Sequence, residues 1–562
     1  MKLFKNISGQ ELLALLTPII LVIPNAVLNF TEHLPLLTSI VNIVLPLSVY
    51  LLITTAFKKV GITVWCLLPI MIYCGFQIVL LYLYGCSIIG VDMFLNVVTS
   101  NPGEIAELLG NLIIAIGSLV IVYIPALVYA AICISKKLTL RDSFVYHFRR
   151  ISAIAVSAGI ILLAINFFVT PGFAIFNDIF PANVSKNLAL AFKRYAQISD
   201  YPITSADFKY NATATHQDSI QETYVVVIGE TSRAENWELL GYNRNTNPLL
   251  SKTENIVAMP QAITQSATTH KSVPMILSPI TAVDFDSINY RKSFISAFKE
   301  AGFYTAFFSN QKRNRSYTEY FGNEADKCEY ISDDATVQPY DIELINLLEK
   351  EIADTTHTKK LIVLHSYGSH FNYSERYPRE AAFFTPDNKT DANREHRPEL
   401  INAYDNTIRY IDSCLHSAIS ALEKSGTASA LIYASDHGED IFDDSRERFL
   451  HASPVPTYYQ LHVPMIIWTS NRYNSLYPEK AENLRINRLK IVSPTVSLFN
   501  TLIDLAGLQT TYSDSTASLA NEAFRSPELF FLSDRNEPVK IDSTSVHKYD
   551  FVKLEEKHFI KP

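Results

Sequence analysis

The sequence predicts a membrane anchor of five helices followed by an α/β domain with a mostly parallel sheet. The first 170 residues carry only nine Lys or Arg and six Asp or Glu, although the whole chain has 48 and 56. Five long stretches of this part contain no charged residue. Beyond about residue 219, short β-branched runs alternate with segments of helical periodicity. Such a division excludes a single soluble globule and a disordered chain.

Each of the five uncharged stretches is long enough to cross a bilayer core, which takes about 20 residues. The first is too long for a signal-peptide core and lacks a small-residue cleavage site, so we expect it to be retained. Prolines inside the first two are tolerated in membrane helices. The predicted spans are Leu12–Phe30, Leu36–Phe57, Gly61–Tyr84, Asn111–Ser135 and Ile151–Thr170.

All nine positive charges of the anchor lie on one side of the predicted membrane. The two opposite loops, Thr31–Pro35 and Gly85–Gly110, contain no Lys or Arg. Because positive charges mark the cytoplasmic side, we expect a cytoplasmic amino terminus and an exported chain beyond about Pro171. The predicted parts are an anchor over 1–170, a connector with an interfacial helix over 171–218, and an exported domain over 219–562.

The exported domain is expected to be held together by an ordinary hydrophobic core. Only Cys328 and Cys414 of the six cysteines belong to it, so it forms at most one disulfide, and the sequence leaves that pairing open. A net charge of −8 argues against nucleic-acid binding, which needs a basic surface. We expect the protein to be a monomer.

Five short runs are predicted to be the strands of this domain. Helical segments separate them, an alternation typical of a mostly parallel sheet covered on both faces. The predicted strands are Tyr224–Gly229, Tyr304–Ser309, Leu361–His365, Leu431–Ser435 and Met465–Trp468.

Polar residues follow three of these strands, at the sheet edge where α/β proteins form their sites. Glu230 follows the first strand, the segment His365–His370 ends the third, and Asp436-His437 follows the fourth, with His451 further on. Carboxylates and imidazoles bind Zn²⁺ when no thiolate is present, and oxygen-rich sites also bind Mn²⁺ or Mg²⁺. The pattern predicts a divalent-metal site, with His365 itself interpreted as a buried residue that closes its strand.

A hydroxyl-rich segment, Thr264–Pro274, offers candidates for an attacking group just before a short apolar helical run. A hydroxyl near a helix start and a divalent metal has a lowered pKa and can act as a nucleophile. A plain polar loop is the alternative interpretation. Spacing does not choose among Thr264, Ser266, Thr268, Thr269 and Ser272.

Taken together, these motifs resemble those of the membrane-bound phosphoethanolamine transferases of Gram-negative envelopes, members of the alkaline phosphatase/sulfatase superfamily. The resemblance extends over nearly the whole chain, from the five spans to the exported domain. Its motifs are Gly229-Glu-Thr-Ser-Arg-Ala234, Gly241-Tyr, Thr246-Asn-Pro248, Thr268-Thr-x-x-Ser-Val-Pro274, Gly368-Ser-His370, and Ser435-Asp-His-Gly-Glu439 followed by His451.

The resemblance implies a role for each matching residue. Glu230, Asp436 and His437 would bind one tightly held Zn²⁺. Thr269 matches the family's threonine nucleophile and would also ligate that ion. Mn²⁺ or Mg²⁺ in the same place is less in keeping with the family.

The resemblance also implies contacts to the substrates. His370 and His451 match the histidines that contact the phosphoryl group or a second zinc. Asn96, Ser100 and Glu104 lie four residues apart and therefore on one helix face, where the family has a periplasmic helix at the donor headgroup. The simpler interpretation of that spacing is that these residues cap a helix and line its solvent-exposed face.

Two departures from the family bear on the acceptor. Many lipid A-modifying members have cysteines on either side of the nucleophile, where this chain has Gln265 and Met275, and several disulfides that two cysteines cannot supply. These departures favour the cysteine-poor branch, which includes enzymes that modify core heptose. The family also has a basic residue near the phosphate, for which the candidates are Lys312, Arg313 and Arg315.

The implied activity is a zinc-dependent transfer of phosphoethanolamine from phosphatidylethanolamine to an envelope glycolipid, either lipid A or the lipopolysaccharide core. It would proceed through phosphothreonine at Thr269, in an inner-membrane protein of a Gram-negative cell whose catalytic domain is periplasmic and in contact with membrane lipids. The alternatives are a phosphoglycerol transferase of the lipoteichoic acid synthase type and a noncatalytic membrane receptor or scaffold. Sulfatase activity is disfavoured, because Ser272-Val-Pro-Met-Ile276 lacks the arginine of a formylglycine motif.

Overall fold

The computed structural model describes residues 7–32, 34–84, 88–99, 113–389 and 393–560. The chain divides into two compact units, and the division falls after Lys193, inside the helix Ala182–Thr204. Each unit contains its own buried apolar clusters.

The amino-terminal unit is helical. Three of its helices, Gly9–Thr31, Leu36–Ala56 and Asp142–Val169, are long and apolar enough to cross a membrane. The helices of this unit are Gly9–Thr31, Leu36–Ala56, Val60–Cys66, Leu68–Tyr84, Val91–Thr99, Ile113–Ser135, Asp142–Val169 and Ile175–Asp178, followed by the first part of Ala182–Thr204.

The predicted third span is broken by a bend. Val60–Cys66 and Leu68–Tyr82 are apolar enough to form one span only when taken together, and they meet at 51°. Pro69 accounts for the break, because proline has no N–H to donate and its ring crowds the preceding turn. Within the helix Ile113–Ser135, the described apolar segment Leu119–Ser135 is by itself too short to count as a span. The described residues support three or four spans, so the prediction of five is not confirmed.

The second unit is built around a seven-stranded sheet. Its strands are β2 (Glu222–Gly229), β3 (Ile256–Met259), β4 (Tyr304–Ser309), β5 (Lys327–Tyr330), β6 (Lys359–His365), β7 (Ala428–Ser435) and β10 (Met465–Thr469). Across the sheet their order is β3-β10-β7-β2-β6-β4-β5. All the neighbouring pairs from β7 to β5 are parallel, whereas β10 is antiparallel to both β7 and β3. The prediction of a mostly parallel sheet is confirmed.

The central strand β2 is buried along its whole length, because both faces of the sheet are covered. Tyr224, Val226 and Ile228 enter one apolar cluster and Val225 and Val227 enter the other, as the alternation of side chains along a strand requires. The covering helices include Thr269–Ile276, Phe294–Glu300, Tyr317–Gly322, Ile342–Ala353, Arg397–Ser425, Asn471–Leu476, Pro478–Asn487 and Pro494–Leu505, and shorter or terminal helices lie at Tyr458–Leu461 and Lys548–Glu556.

Short two-stranded pairs complete this unit. They are β1 (Thr213–Ala214) with β11 (Leu508–Gln509), β8 (Asp440–Ile441) with β9 (Phe449–Leu450), and β12 (Phe530–Leu532) with β13 (Pro538–Lys540). Cys328 and Cys414 are both free thiols, so the disulfide that the sequence left open is not formed.

Candidate metal centre

Glu230 and Asp436 lie side by side because the strands that carry them are paired. β2 and β7 are parallel neighbours, and their last residues, Gly229 and Ser435, lie opposite each other. The amide of Asp436 donates to the carbonyl of Gly229 at 3.0 Å, and the amide of Thr231 donates to Oδ1 of Asp436 at 3.1 Å. The register of the two central strands therefore sets the separation of the two carboxylates.

His437 completes a group of three buried donor residues, which we call the donor group. One ligand atom from each of Glu230, Asp436 and His437 lies within 4.8 Å of the others. Nε2 of His437 is 3.5 Å from Oε1 of Glu230 and 3.3 Å from Oδ2 of Asp436. Its Nδ1 lies 3.0 Å from the carbonyl of Gly438. This contact favours the tautomer with the proton on Nδ1, which leaves the Nε2 lone pair facing the carboxylates.

The hydroxyl of Thr269 is directed at the donor group. Thr269 is the first residue of the helix Thr269–Ile276. Its Oγ1 lies 3.3 Å from each carboxylate oxygen of Glu230 and 3.1 Å from Nε2 of His437. The structure therefore brings together all four residues that the family resemblance assigned to one metal.

The other hydroxyls of the segment are engaged or positioned elsewhere. The hydroxyls of Ser266 and Thr268 bond each other at 3.0 Å, and Ser272 donates to the carbonyl of Thr268 at 2.9 Å. The hydroxyl of Thr264 is buried and has no hydrogen-bond partner among the described residues. Of these five hydroxyls, all within the described residues, that of Thr269 is the one that faces the donor group.

The donor group fits a divalent cation. Burial and the neighbouring Asp436 carboxylate raise the pKa of Glu230 to about 7, and burial raises the pKa of Asp436 to about 7. Oδ2 of Asp436 is buried and accepts no hydrogen bond within the described ranges. A cation between the two carboxylates would offset both their desolvation and their mutual repulsion. Two carboxylates, an imidazole and a hydroxyl make a four-ligand set that Zn²⁺ accepts.

His451 and His370 lie beside the donor group. The ring centroids of His451 and His437 are 4.2 Å apart, and Nδ1 of His451 is 3.7 Å from Oε2 of Glu439. Nδ1 of His370 is buried and makes no hydrogen bond in the part of the chain described. Burial lowers the pKa of His370 to about 3 and that of His451 well below its ordinary value. Both imidazoles are therefore neutral, the form in which histidine binds a metal.

A glycine lets the loop that carries His370 approach the donor group. Gly368 has φ +54°, and a Cβ there would lie 2.6 Å from the carbonyl oxygen of Glu230. The amide of Ser369 donates to that same carbonyl at 2.9 Å, and the amide of Gly368 donates to the buried Asp341 at 2.9 Å. Only a residue without a side chain allows this approach.

A buried arginine, Arg233, connects the two segments that carry the residues of the donor group. Arg233, three residues after Glu230, donates to Oδ2 of Asp443 at 2.6 Å and to the carbonyl of Glu439 at 3.3 Å. Its guanidinium lies over two aromatic rings, at 5.5 Å and 5.4 Å from their centroids, those of Tyr404 and Tyr459. These contacts connect the segment after β2 to the segment after β7, in addition to the pairing of the two strands.

Gln311 is a site residue that sequence reasoning missed. Its side-chain amide donates to Oε2 of Glu230 at 2.8 Å and to the carbonyl of Ser366 at 3.2 Å. Gln311 is the second residue after β4, so the rule that selects residues following strands could have found it.

The three basic candidates near β4 do not contact the donor group through a hydrogen bond or ion pair among the described residues. Arg313 pairs with Asp333 at 2.9 Å and lies 4.5 Å from the ring centroid of Tyr330. Lys312 and Arg315 are exposed.

Replacing Gln311 with leucine is expected to weaken Zn²⁺ binding by about 10- to 100-fold, the usual cost of losing a partner that orients a metal ligand. The Glu230 carboxylate then keeps its charge but loses the amide that orients it. Competition with a chromophoric chelator measures the affinity. Lys312→Leu is the matched control, since Lys312 is adjacent and exposed. Equal affinities in the two variants would contradict the assigned role.

The residues predicted at the donor headgroup cannot be placed in the same way. Asn96 lies on the helix Val91–Thr99, but its side chain, Ser100 and Glu104 lie outside the described residues. Their contact with a donor lipid stays a prediction.

A mostly parallel α/β sheet with a carboxylate–imidazole centre at its carboxyl edge is the arrangement of the alkaline phosphatase/sulfatase superfamily. The chain belongs to the sulfatase family, whose model matches residues 222–508. The match covers the seven-stranded sheet and the donor group and ends at the first residue of β11.

Curated relatives include phosphoethanolamine transferases. EptA of Salmonella typhimurium is 30% identical over 297 residues, which cover 51% of this chain and 54% of that protein. Kdo(2)-lipid A phosphoethanolamine 7''-transferase of Escherichia coli K12 is 28% identical over 354 residues, which cover 60% of this chain and 61% of that protein. The chain spans about half the length of most curated relatives it matches. The predicted relationship to membrane-bound phosphoethanolamine transferases is confirmed.

Two solved structures extend the comparison. The periplasmic domain of EptC from Escherichia coli, in complex with Zn, is 26% identical with a TM-score of 0.54, covering 60% of this chain and 98% of that one. The integral membrane protein lipooligosaccharide phosphoethanolamine transferase A from Neisseria meningitidis has a TM-score of 0.72 at 21% identity, covering 92% of this chain and 99% of that one. The second likeness shows that the fold is shared over nearly the whole chain.

Proposed function

We propose that this chain transfers phosphoethanolamine from phosphatidylethanolamine to an envelope glycolipid, lipid A or the lipopolysaccharide core, through a phosphothreonine at Thr269. The observation that carries the proposal is the Thr269 hydroxyl, 3.1 Å from His437 and 3.3 Å from Glu230. The names of the relatives support phosphoethanolamine as the transferred group, and the name of one of them supports lipid A as the acceptor.

Glu230, Asp436 and His437 would hold the Zn²⁺, with the Thr269 oxygen as the fourth ligand. Zinc bound there supplies a Lewis acid that lowers the pKa of the threonine hydroxyl. The zinc complex of the EptC domain supports the choice of metal. His370 and His451 would contact the phosphoryl oxygens, or hold a second ion.

In the first step, Oγ1 of Thr269 loses its proton and attacks the phosphorus of the donor. The bond from phosphorus to the diacylglycerol oxygen breaks, and diacylglycerol leaves with a proton. In the second step, a sugar hydroxyl or phosphate oxygen of the acceptor attacks the same phosphorus. An attacking hydroxyl gives up its proton as the new bond forms, and the threonine oxygen leaves and takes up a proton in exchange. Neutral His370 and His451 orient the phosphoryl oxygens.

The membrane arrangement belongs to the same proposal. We assign the anchor to residues 1–170, the connector to 171–218 and the catalytic domain to 219–562, in a monomer with a cytoplasmic amino terminus and a periplasmic catalytic domain. The helix Ala182–Thr204 exposes Phe192 and Ile203, as a helix lying along a membrane surface does. Asn96, Ser100 and Glu104 would meet the donor headgroup.

Headgroup labelling tests this function against its rivals. We expect full-length protein in vesicles to take label from phosphatidylethanolamine onto itself and onto an added lipopolysaccharide acceptor, and to take none from phosphatidylglycerol. Mass spectrometry of protein and glycolipid measures both products. Label from phosphatidylglycerol alone would establish the phosphoglycerol transferase, and label from neither lipid in zinc-loaded protein would favour a noncatalytic role.

A further inference from the structure

One face of the helix Pro478–Asn487 is buried against the rest of the domain. Ala481, Leu484 and Asn487, at helical spacing, are at most 3% exposed. The side-chain amide of Asn487 donates to the carbonyls of Leu519 at 2.9 Å and Asn521 at 3.0 Å. These contacts fix the end of the helix firmly to the domain.

On the opposite side, the carboxyl-terminal end of this helix exposes apolar side chains to solvent. Ile486 is 61% exposed and Leu489 is 64% exposed, with the exposed Arg485 and Arg488 between and beside them. We call Arg485–Leu489 the arginine–aliphatic tip. Single exposed aliphatic residues are common, but two of them alternating with arginines on a rigid helix end form a specific combination.

The tip carries positive charge that its surroundings leave largely uncompensated. The side chain of Arg488 forms no hydrogen bond or ion pair within the described residues. Arg485 reaches only an exposed contact with Glu482 at 3.5 Å, which contributes little. Nearby, Lys490 donates to the carbonyl of Phe524 rather than to a carboxylate.

The tip is linked by pairing to the segment that leads to the candidate nucleophile. The amide of Ile263 donates to the carbonyl of Val492 at 3.0 Å, and the amide of Val492 donates to the carbonyl of Gln261 at 2.9 Å. Thr269 follows Ile263 by only six residues. The segment that follows the tip is therefore paired with the segment that leads to Thr269.

We propose that the arginine–aliphatic tip docks this domain on the anionic lipid surface of the membrane in which the chain is anchored. Aliphatic side chains enter the interface while guanidinium groups stay at the headgroup phosphates. A protein partner fits less well, because two exposed aliphatic side chains fall far short of the roughly 1,200 Å² that a stable protein interface buries. An anchor in the same chain raises the effective concentration of lipid for the exposed surfaces of this domain, so a weak contact suffices.

Site-specific photocrosslinking of the full-length protein in its native membrane tests the proposal. A benzophenone side chain is placed at position 486 or 489, and at Val337 as the control. Val337 is an aliphatic residue of the same unit and is 80% exposed. Its sequence neighbours include the acidic Asp333 and Asp334 instead of arginines. We expect phospholipid adducts at 486 and 489, detected by mass spectrometry, at several times the yield found at 337.

The arginines are tested in the same assay. Adduct yield at position 489 should fall by about fivefold for each arginine removed in Arg485→Gln and Arg488→Gln, the effect of one cationic side chain at an anionic surface. Lipid adducts no more frequent at 486 and 489 than at 337, or adducts to a protein instead, would overturn the proposal. The assay needs no turnover, so its result is independent of whether the proposed transferase activity is found.

Discussion

Replacing Thr269 with alanine should lower phosphoethanolamine transfer on the order of 10⁴- to 10⁶-fold, the range seen when an enzyme loses its nucleophile. The variant retains Glu230, Asp436 and His437 but loses the only oxygen of this helix start that faces them. Intact-protein mass spectrometry should show no phosphoethanolamine adduct, and glycolipid mass spectrometry should show no modified acceptor.

The neighbouring hydroxyl provides the control. Thr268→Ala removes a hydroxyl that bonds Ser266 rather than the donor group, so this variant should keep most of the transfer activity. Thr269→Ser should restore part of the activity, since it returns an oxygen at the same position. Undiminished transfer by Thr269→Ala, or equal losses in Thr268→Ala and Thr269→Ala, would show that the nucleophile lies elsewhere.

Replacing Asp436 with asparagine should weaken Zn²⁺ binding by more than the roughly 10- to 100-fold that an orienting partner contributes. The amide preserves the size of the side chain and one acceptor oxygen for the amides of Thr231 and His437. It removes the negative charge of the carboxylate whose Oδ2 faces His437. Metal analysis after dialysis should find little zinc in this variant, and its activity should depend on added zinc.

Asp440 is a matched comparison only four residues away. It is buried, and burial raises the pKa of its carboxyl to about 7 as well, but its oxygens accept hydrogen bonds from Thr457 and Gln460. Asp440→Asn should therefore change folding stability while leaving zinc affinity near that of the parent protein. If both variants lost zinc alike, the loss at Asp436 would reflect general damage rather than removal of a ligand.

The centre of the sheet is predictable from sequence because its strands are buried on both faces. Continuous apolar runs mark β2, β6 and β7, and the residues that follow such strands must meet at one edge. The short outer strands lack this signal. Lys327–Tyr330 is largely polar, and the apolar run Ile256–Met259 has only four residues, too few to be assigned to a strand from composition.

Other features depend on three-dimensional contacts that no local pattern encodes. An amide side chain after a strand is common, and only its 2.8 Å approach to Glu230 singles out Gln311. Hydropathy likewise marks the apolar length of Gly61–Tyr84 without revealing the break at Pro69. Residue type and spacing therefore predict which segments meet, whereas orientation within the site follows from packing and hydrogen bonds.

The pairing of β2 with β7 has a consequence for the order of assembly. The two strands are adjacent in space, yet about two hundred residues separate Glu230 from Asp436 along the chain. A chain emerging from the ribosome displays Glu230 long before Asp436 and His437. Any ion that needs all three donor residues must therefore wait until nearly four-fifths of the polypeptide has been synthesised, which makes its capture a late event in the assembly of the domain.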